Sequence, residues 1–200
     1  MVFLEKILVG ELLIKMRIIS GKLKGKNLQF LKSQITRPLK DSIKESIFNI
    51  LAHSKNIGVS VEGADIIDLY SGVGSFGLEC ISRNAKTVTF IEKDTKAFKM
   101  LFKNIEKLSV KNNSLLFNDR IENVFKRLKK KYKIFFFDPP FNDESYIKNL
   151  KKFKENQMFY KDHIVIIHRE KKTREDLEPF LNLIFEREYG RSKIIFATFN

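Results

Sequence analysis

From residue 64 onward the chain alternates short, almost wholly apolar segments with segments whose apolar residues recur at helical spacing. This alternation restricts the fold more than any single motif does. The apolar segments are ADIIDLY, TVTFIE, SLLFN, KIFFFD and HIVIIH; between them lie SFGLECISRN, TKAFKMLFKNIEKL, IENVFKRLKK and a stretch near residues 145–155. Strands this apolar have no polar face to turn to water, so both sheet faces must be covered by helices, as in a parallel sheet. The last two segments, LIFEREYG and SKIIFATF, are joined by the turn-like Gly190-Arg191 and predict an antiparallel hairpin.

Upstream, residues 17–30 read as short strands around the glycine turns of ISGKLKGKNLQF, and TRPLKDSIKESIFNILA starts a helix after Pro38. In that helix Ile43, Ile47, Phe48, Ile50 and Leu51 fall on one core-facing stripe. The expected division is an N-terminal extension at 1–15, an appendage at 16–60 and an α/β domain at 61–200. The extension is either an added amphipathic helix or lies before a true start at Met16. It lacks the basic start and small-residue cleavage site of a signal peptide.

The chain holds 38 Lys+Arg against 24 Asp+Glu, a formal charge of +14, which favours a polyanionic partner and makes nucleic acid the first candidate. The basic runs KRLKKKYK and HREKKTRE either widen such a footprint or are solvated ends. Cys80 is the single cysteine, so no intramolecular disulfide can form, and a reducing cytoplasm is expected. His163 and His168 are expected to flank or cap a strand, and with His53 they form no zinc-ligand spacing, so no metal is expected. No apolar run has the length of a membrane span.

DLYSGVGSFGLE sets Gly72, Gly74 and Gly77 as G-x-G-x-x-G between a predicted strand and a predicted helix. Alone, this fits an NAD site or an S-adenosylmethionine site. Asp68, at the end of the first strand, would oppose a pyrophosphate but suits the ammonium of a methionine moiety. Glu92, ending the second strand, is placed to accept from ribose hydroxyls. Asp119, in FNDRIENV, either accepts from an adenine amino group or caps the following helix.

The predicted fourth strand ends in FFFDPPF. In an open parallel sheet the ligand crevice lies at the carboxyl ends of the strands, so Asp138 belongs beside the glycine loop. Pro139 and Pro140 stiffen the exit, and their carbonyls remain acceptors. A poor nucleophile such as an exocyclic aromatic amine needs just such a group of acceptors. Asp138 and the Pro139 carbonyl could hold its two N–H bonds while Phe141 stacks on the base.

A D/N-P-P-F/Y motif after such a glycine loop resembles the amino-group methyltransferases of the Rossmann-like class. MRIISGKLKGKNLQF followed by TRPLKDSIKESIFNIL is similar to the RsmD family of bacterial 16S ribosomal RNA guanine-N2 methyltransferases. The resemblance runs from Met16 to the closing hairpin. It implies a class I fold: a seven-stranded, mostly parallel sheet with an antiparallel C-terminal hairpin and a small N-terminal hairpin-and-helix appendage. It implies that Asp68, Tyr70, Gly72, Gly74, Glu92, Lys93 and Asp119 bind S-adenosylmethionine. Asp138, Pro139, Pro140 and Phe141 then form the catalytic motif, and Arg17, Lys22, Lys24, Lys26 and Arg37 meet RNA. The partner is 16S ribosomal RNA or an assembling 30S subunit, met by a cytoplasmic monomer. Leu39 and Ser42 replace the threonine and arginine common in the family, so that helix start receives no role. The alternatives are N6-adenine or N4-cytosine methylation of DNA, a noncatalytic RNA-binding assembly factor and an NAD-dependent oxidoreductase.

Overall fold

The computed structural model describes residues 16–30 and 39–200; the calls on residues 1–15, on Arg37 and on the Pro38 helix entry lie outside them. Among the described residues, seven strands form one sheet in the order β3-β2-β1-β4-β5-β7-β6. They are β1 (Asp65–Leu69), β2 (Thr87–Ile91), β3 (Ser114–Phe117), β4 (Tyr132–Phe137), β5 (Phe159–Glu170), β6 (Leu181–Tyr189) and β7 (Ser192–Phe199). β3, β2, β1, β4 and β5 are parallel; β7 runs antiparallel to β5 and β6 antiparallel to β7, as the turn at Gly190-Arg191 requires. This is the Rossmann-like architecture with an antiparallel closing hairpin.

Alternation along the strands feeds two cores. Ile66, Ile134 and Phe136 join one, with α1 (Asp41–His53), α2 (Ser75–Ser82) and α3 (Thr95–Lys107) packed over it. Ile67, Leu69, Phe135 and Phe137 join the other, under α4 (Ile121–Val124) and α5 (Tyr146–Glu155). The triple phenylalanine therefore serves both faces. Phe136 stacks on Phe76 at 4.0 Å between ring centroids, while Phe135 and Phe137 meet Phe153 edge-on.

Residues 17–30 form one antiparallel bridge, Arg17 to Asn27, in place of the expected short strands. Their backbone is instead spent on α2. The carboxylate of Glu79 accepts from Ile19 N–H (2.7 Å), Ser20 N–H (2.9 Å) and Arg83 Nε (2.9 Å), and Ser82 Oγ accepts from Leu23 N–H. All eight residues of α2 are thus buried, polar ones included. Lys44 is also fully buried. It donates to Arg17 O (2.7 Å) and to Ser75 Oγ (3.2 Å), and burial pulls its pKa down against the opposing attraction of Glu79 and Asp41.

Two boundaries depart from expectation. The helix expected over IENVFKRLKK stops at Val124 and passes into a 3-10 turn, Phe125–Arg127. Lys130 leaves that path to bond Asp65 Oδ1 (2.8 Å) and Thr87 Oγ1, tying the strand starts together. β5 begins four residues before HIVIIH and ends two after it, so His163 and His168 stand inside a strand and not at its ends. His163 accepts from Phe199 N–H at Nε2, and burial drives its pKa down, holding it neutral.

Candidate active site

The strand order reverses between β1 and β4, and the crevice opens at their carboxyl ends. Leu69 lies opposite Phe137, so the glycine loop and the DPPF segment leave the sheet together. Asp138 N–H donates to Leu69 O at 3.3 Å, fastening one exit to the other.

The loop doubles back through three positive φ angles: Tyr70 at 64°, Gly72 at 55° and Gly74 at 87°. For Tyr70 this conformation costs of order 1–3 kcal/mol. Its hydroxyl accepts from Asn149 Nδ2 (3.2 Å), and burial pushes its pKa up. Glu92 organises the loop from β2: Oε2 accepts from Gly72 N–H (2.7 Å) and Oε1 from Asp94 N–H (2.7 Å). Asp68 accepts from Gly77 N–H at Oδ2 (2.9 Å), inside the first turn of α2. Burial raises the pKa of Asp68 well above 3.8 against that hydrogen bond, with the charges of Asp138 and Glu92 adding to the rise. Glu92 is raised above 4.5 for the same leading reason.

Gly77 answers to packing. A Cβ there would sit 2.3 Å from the Phe90 ring, so Gly77→Ala is expected to lower stability by about 1–3 kcal/mol. Chemical denaturation of the two proteins checks this; an unchanged midpoint would show that Phe90 yields freely.

A cavity of about 260 Å³ lies over these elements. Its wall includes Asp68, Tyr70, Gly72, Glu92, Lys93, the whole DPPF segment and His168, with Met16, Phe30 and Leu39 closing it from the N-terminal side. Asp68, Glu92, Asp94 and Asp138 face it against Lys93, in a chain whose formal charge is +14. Locally, therefore, the site prefers a cation. Gly74, expected with the others, shapes the loop without being part of that wall. Asp119 stands apart, in an adjoining cavity of about 50 Å³ that shares Tyr70 and Lys93. Its carboxylate accepts from Arg120 N–H, Asn123 Nδ2 and Arg127, and these contacts, Asn123 first, lower its pKa.

The DPPF segment is held from below. Arg169, fully buried, donates to Pro140 O (3.0 Å) and Phe141 O (2.9 Å), pairs with Glu175 (2.6 Å) and lies over the Tyr146 ring. No donor among the described residues reaches the Pro139 carbonyl. Asp138 Oδ1 lies 2.8 Å from His168 Nδ1. His168 and Arg169 begin the run HREKKTRE, which sequence reasoning assigned to RNA or to solvent; both are buried behind DPPF. The available signal was positional: they follow the apolar run of β5, at the same end of the sheet as Asp138.

On the N-terminal segment Lys22, Lys24 and Lys26 are exposed and make no salt bridge among the described residues. Arg17 is also exposed and meets Asp41 at 3.4 Å. Asn104, buried in α3, connects this segment to the glycine loop, since it bonds both the N–H and the carbonyl of Gln29 and donates to Val73 O.

Residues 16–198 match the family model described as "Conserved hypothetical protein 95". The chain is 30% identical over 158 residues to the "Ribosomal RNA small subunit methyltransferase D" of Buchnera aphidicola subsp. Acyrthosiphon pisum, covering 79% of this chain and 80% of that protein. The protein of the same name from Buchnera aphidicola subsp. Baizongia pistaciae is 28% identical over 183 residues, covering 92% and 90%. Among solved structures, "Putative methyltransferase yhhF from Escherichia coli" superposes with a TM-score of 0.79 at 24% identity, over 93% of this chain and 98% of that one. The chain belongs to the conserved hypothetical protein 95 family, which is the RsmD family.

Proposed function

We propose that this protein is an S-adenosylmethionine-dependent ribosomal RNA methyltransferase that methylates the exocyclic N2 amine of a guanine in 16S ribosomal RNA. The observation that carries this reading is the meeting, in one cavity, of Asp138 and Pro139 with the glycine loop and its carboxylates. The names of the relatives support ribosomal RNA as the substrate class.

The cavity suits such a cofactor. Its excess of carboxylates matches a ligand with two positive centres, and the Gly72 turn leaves space where a Cβ would meet nothing within 4 Å. Asp68 and Glu92 would hold the ammonium and ribose, with Tyr70, Lys93 and Asp119 toward the base. When bound, S-adenosylmethionine supplies a methyl group activated by a sulfonium.

The protein's part is orientation. Asp138 Oδ2 and the Pro139 carbonyl accept the two amine N–H bonds, which draws the nitrogen lone pair out of the ring's plane of delocalisation. Asp138 takes the proton that the nitrogen sheds. Phe141 stacks on the guanine, and Arg17, Lys22, Lys24, Lys26 and Arg37 neutralise backbone phosphates. The protein acts as a cytoplasmic monomer on 16S RNA or an assembling 30S particle. Incubation with labelled cofactor should mark 16S RNA or the small subunit; label appearing in DNA alone would overturn the assignment.

Cofactor binding carries a proton signature. Between the ordinary carboxyl values, 3.8 and 4.5, and their raised folded values, Asp68 and Glu92 keep protons that the unfolded chain has lost. Stability of the free protein should therefore fall as pH rises through that window. A cationic ligand needs both groups ionised, so its binding should release protons and tighten with rising pH. Calorimetry with S-adenosylmethionine in buffers of different ionisation enthalpy measures this; proton uptake would contradict it.

A further inference from the structure

β5 runs parallel to β4 with Ile167 opposite Phe137, so the next residues, His168 and Asp138, leave the pairing side by side. His168 continues in register with Ile194 of β7, which fixes its backbone beyond the end of β4. The residue is about 5% exposed, with the Phe141 ring set edge-on to its imidazole at 5.7 Å. Nδ1 lies 2.8 Å from Asp138 Oδ1, while Nε2 is buried and meets no partner among the described residues.

A carboxylate only accepts, so this contact places a proton on Nδ1 of the imidazole, donated to Asp138 Oδ1. One oxygen of Asp138 is thereby committed. Oδ2 is the oxygen left to receive an amine, and Pro139, which lines the same cavity, follows it on one proline-stiffened exit.

We propose that His168 is a positioning residue for methyl transfer: its Nδ1–H occupies Asp138 Oδ1 and locks the carboxylate so that Oδ2, with the Pro139 carbonyl, receives the substrate amine. This rests on the reaction proposed above. Without the clamp, the Asp138 side chain turns about its bonds, and the acceptor pair loses its fixed spacing. His168 touches neither methyl nor amine, and it acts only through Asp138.

Two amide variants separate hydrogen bonding from bulk. An asparagine amide nitrogen can occupy the place of Nδ1, whereas a glutamine amide nitrogen occupies that of Nε2 and a leucine supplies neither. His168→Leu and His168→Gln should lower kcat for RNA methylation roughly 10- to 100-fold, with KM for the cofactor unchanged, and His168→Asn should restore most of the loss. Thermal melting and S-adenosylhomocysteine binding confirm that each variant is folded. In the wild-type protein, nitrogen NMR of labelled histidine should show His168 protonated at Nδ1, and Asp138→Ala should remove its downfield Nδ1–H signal. A folded His168→Leu with wild-type kcat, or a His168 protonated at Nε2 alone, would overturn this role. Failure of His168→Asn to recover would overturn it too. A wild-type protein that methylates no RNA would instead overturn the reaction, and the role of His168 with it.

Discussion

Asp138→Ala should lower methyl transfer to RNA by roughly 10²–10³-fold while leaving RNA affinity and cofactor binding near wild-type values. Asp138 is half-buried at the end of β4, tied to Leu69 through its backbone and to His168 through Oδ1, and its carboxylate meets no other partner among the described residues. In the proposed reaction, removing it takes away an acceptor for the amine and the group that receives its proton. Asp138 also faces Asp68, whose raised pKa owes part of its rise to that neighbouring charge, so cofactor binding should if anything begin at lower pH in the variant. Single-turnover rates beside filter-binding affinities make the comparison. A variant that keeps its rate would remove the motif from the chemistry, and one that loses RNA affinity in proportion would make Asp138 a binding residue.

Arg169→Met should cost about 3–5 kcal/mol of folding stability, because it leaves Glu175 buried without its cation and removes the Arg169 hydrogen bonds to the carbonyls of Pro140 and Phe141. The same change loosens the segment that carries Asp138, so turnover should fall beyond what stability explains. Arg169→Met combined with Glu175→Leu separates the two effects. Replacing both charges removes the orphaned carboxylate and should recover much of the stability, yet the two Arg169 hydrogen bonds to the segment stay lost and turnover should stay low. Denaturant midpoints and turnover on the three proteins test this. Activity returning along with stability would show that Arg169 serves the fold alone.

The succession of strands and helices, the hairpin and the position of the crevice were legible because they follow from patterns that repeat. Five apolar segments at regular intervals leave few arrangements, and Asp68, Glu92 and Asp138 lie at or just past the carboxyl ends of β1, β2 and β4, which puts them at the same edge of a parallel sheet. What sequence reading missed depends on contacts between distant parts of the chain. Lys44, Glu79 and Asn104 look like polar helix positions, and they are buried because residues 16–30 lay their backbone across α2 and α3. Arg169 looks like one cation in a basic run until Glu175, six residues on, returns to meet it. IENVFKRLKK has helical spacing throughout, but a single lysine, Lys130, has better partners at the strand starts than on the helix. Tyr70 is the opposite case: sequence places it in the cofactor loop, whereas its positive φ is visible only in the folded backbone.

Guanine as the target base is the central claim, because Asp138 and the Pro139 carbonyl would serve any exocyclic amine. The direct measurement is to incubate the protein and S-adenosylmethionine with undermodified 16S RNA and with 30S particles, then digest the product to nucleosides for mass spectrometry. N2-methylguanosine is the expected product on at least one of the two substrates. N6-methyladenosine, N4-methylcytidine or no methylated nucleoside on either would contradict it.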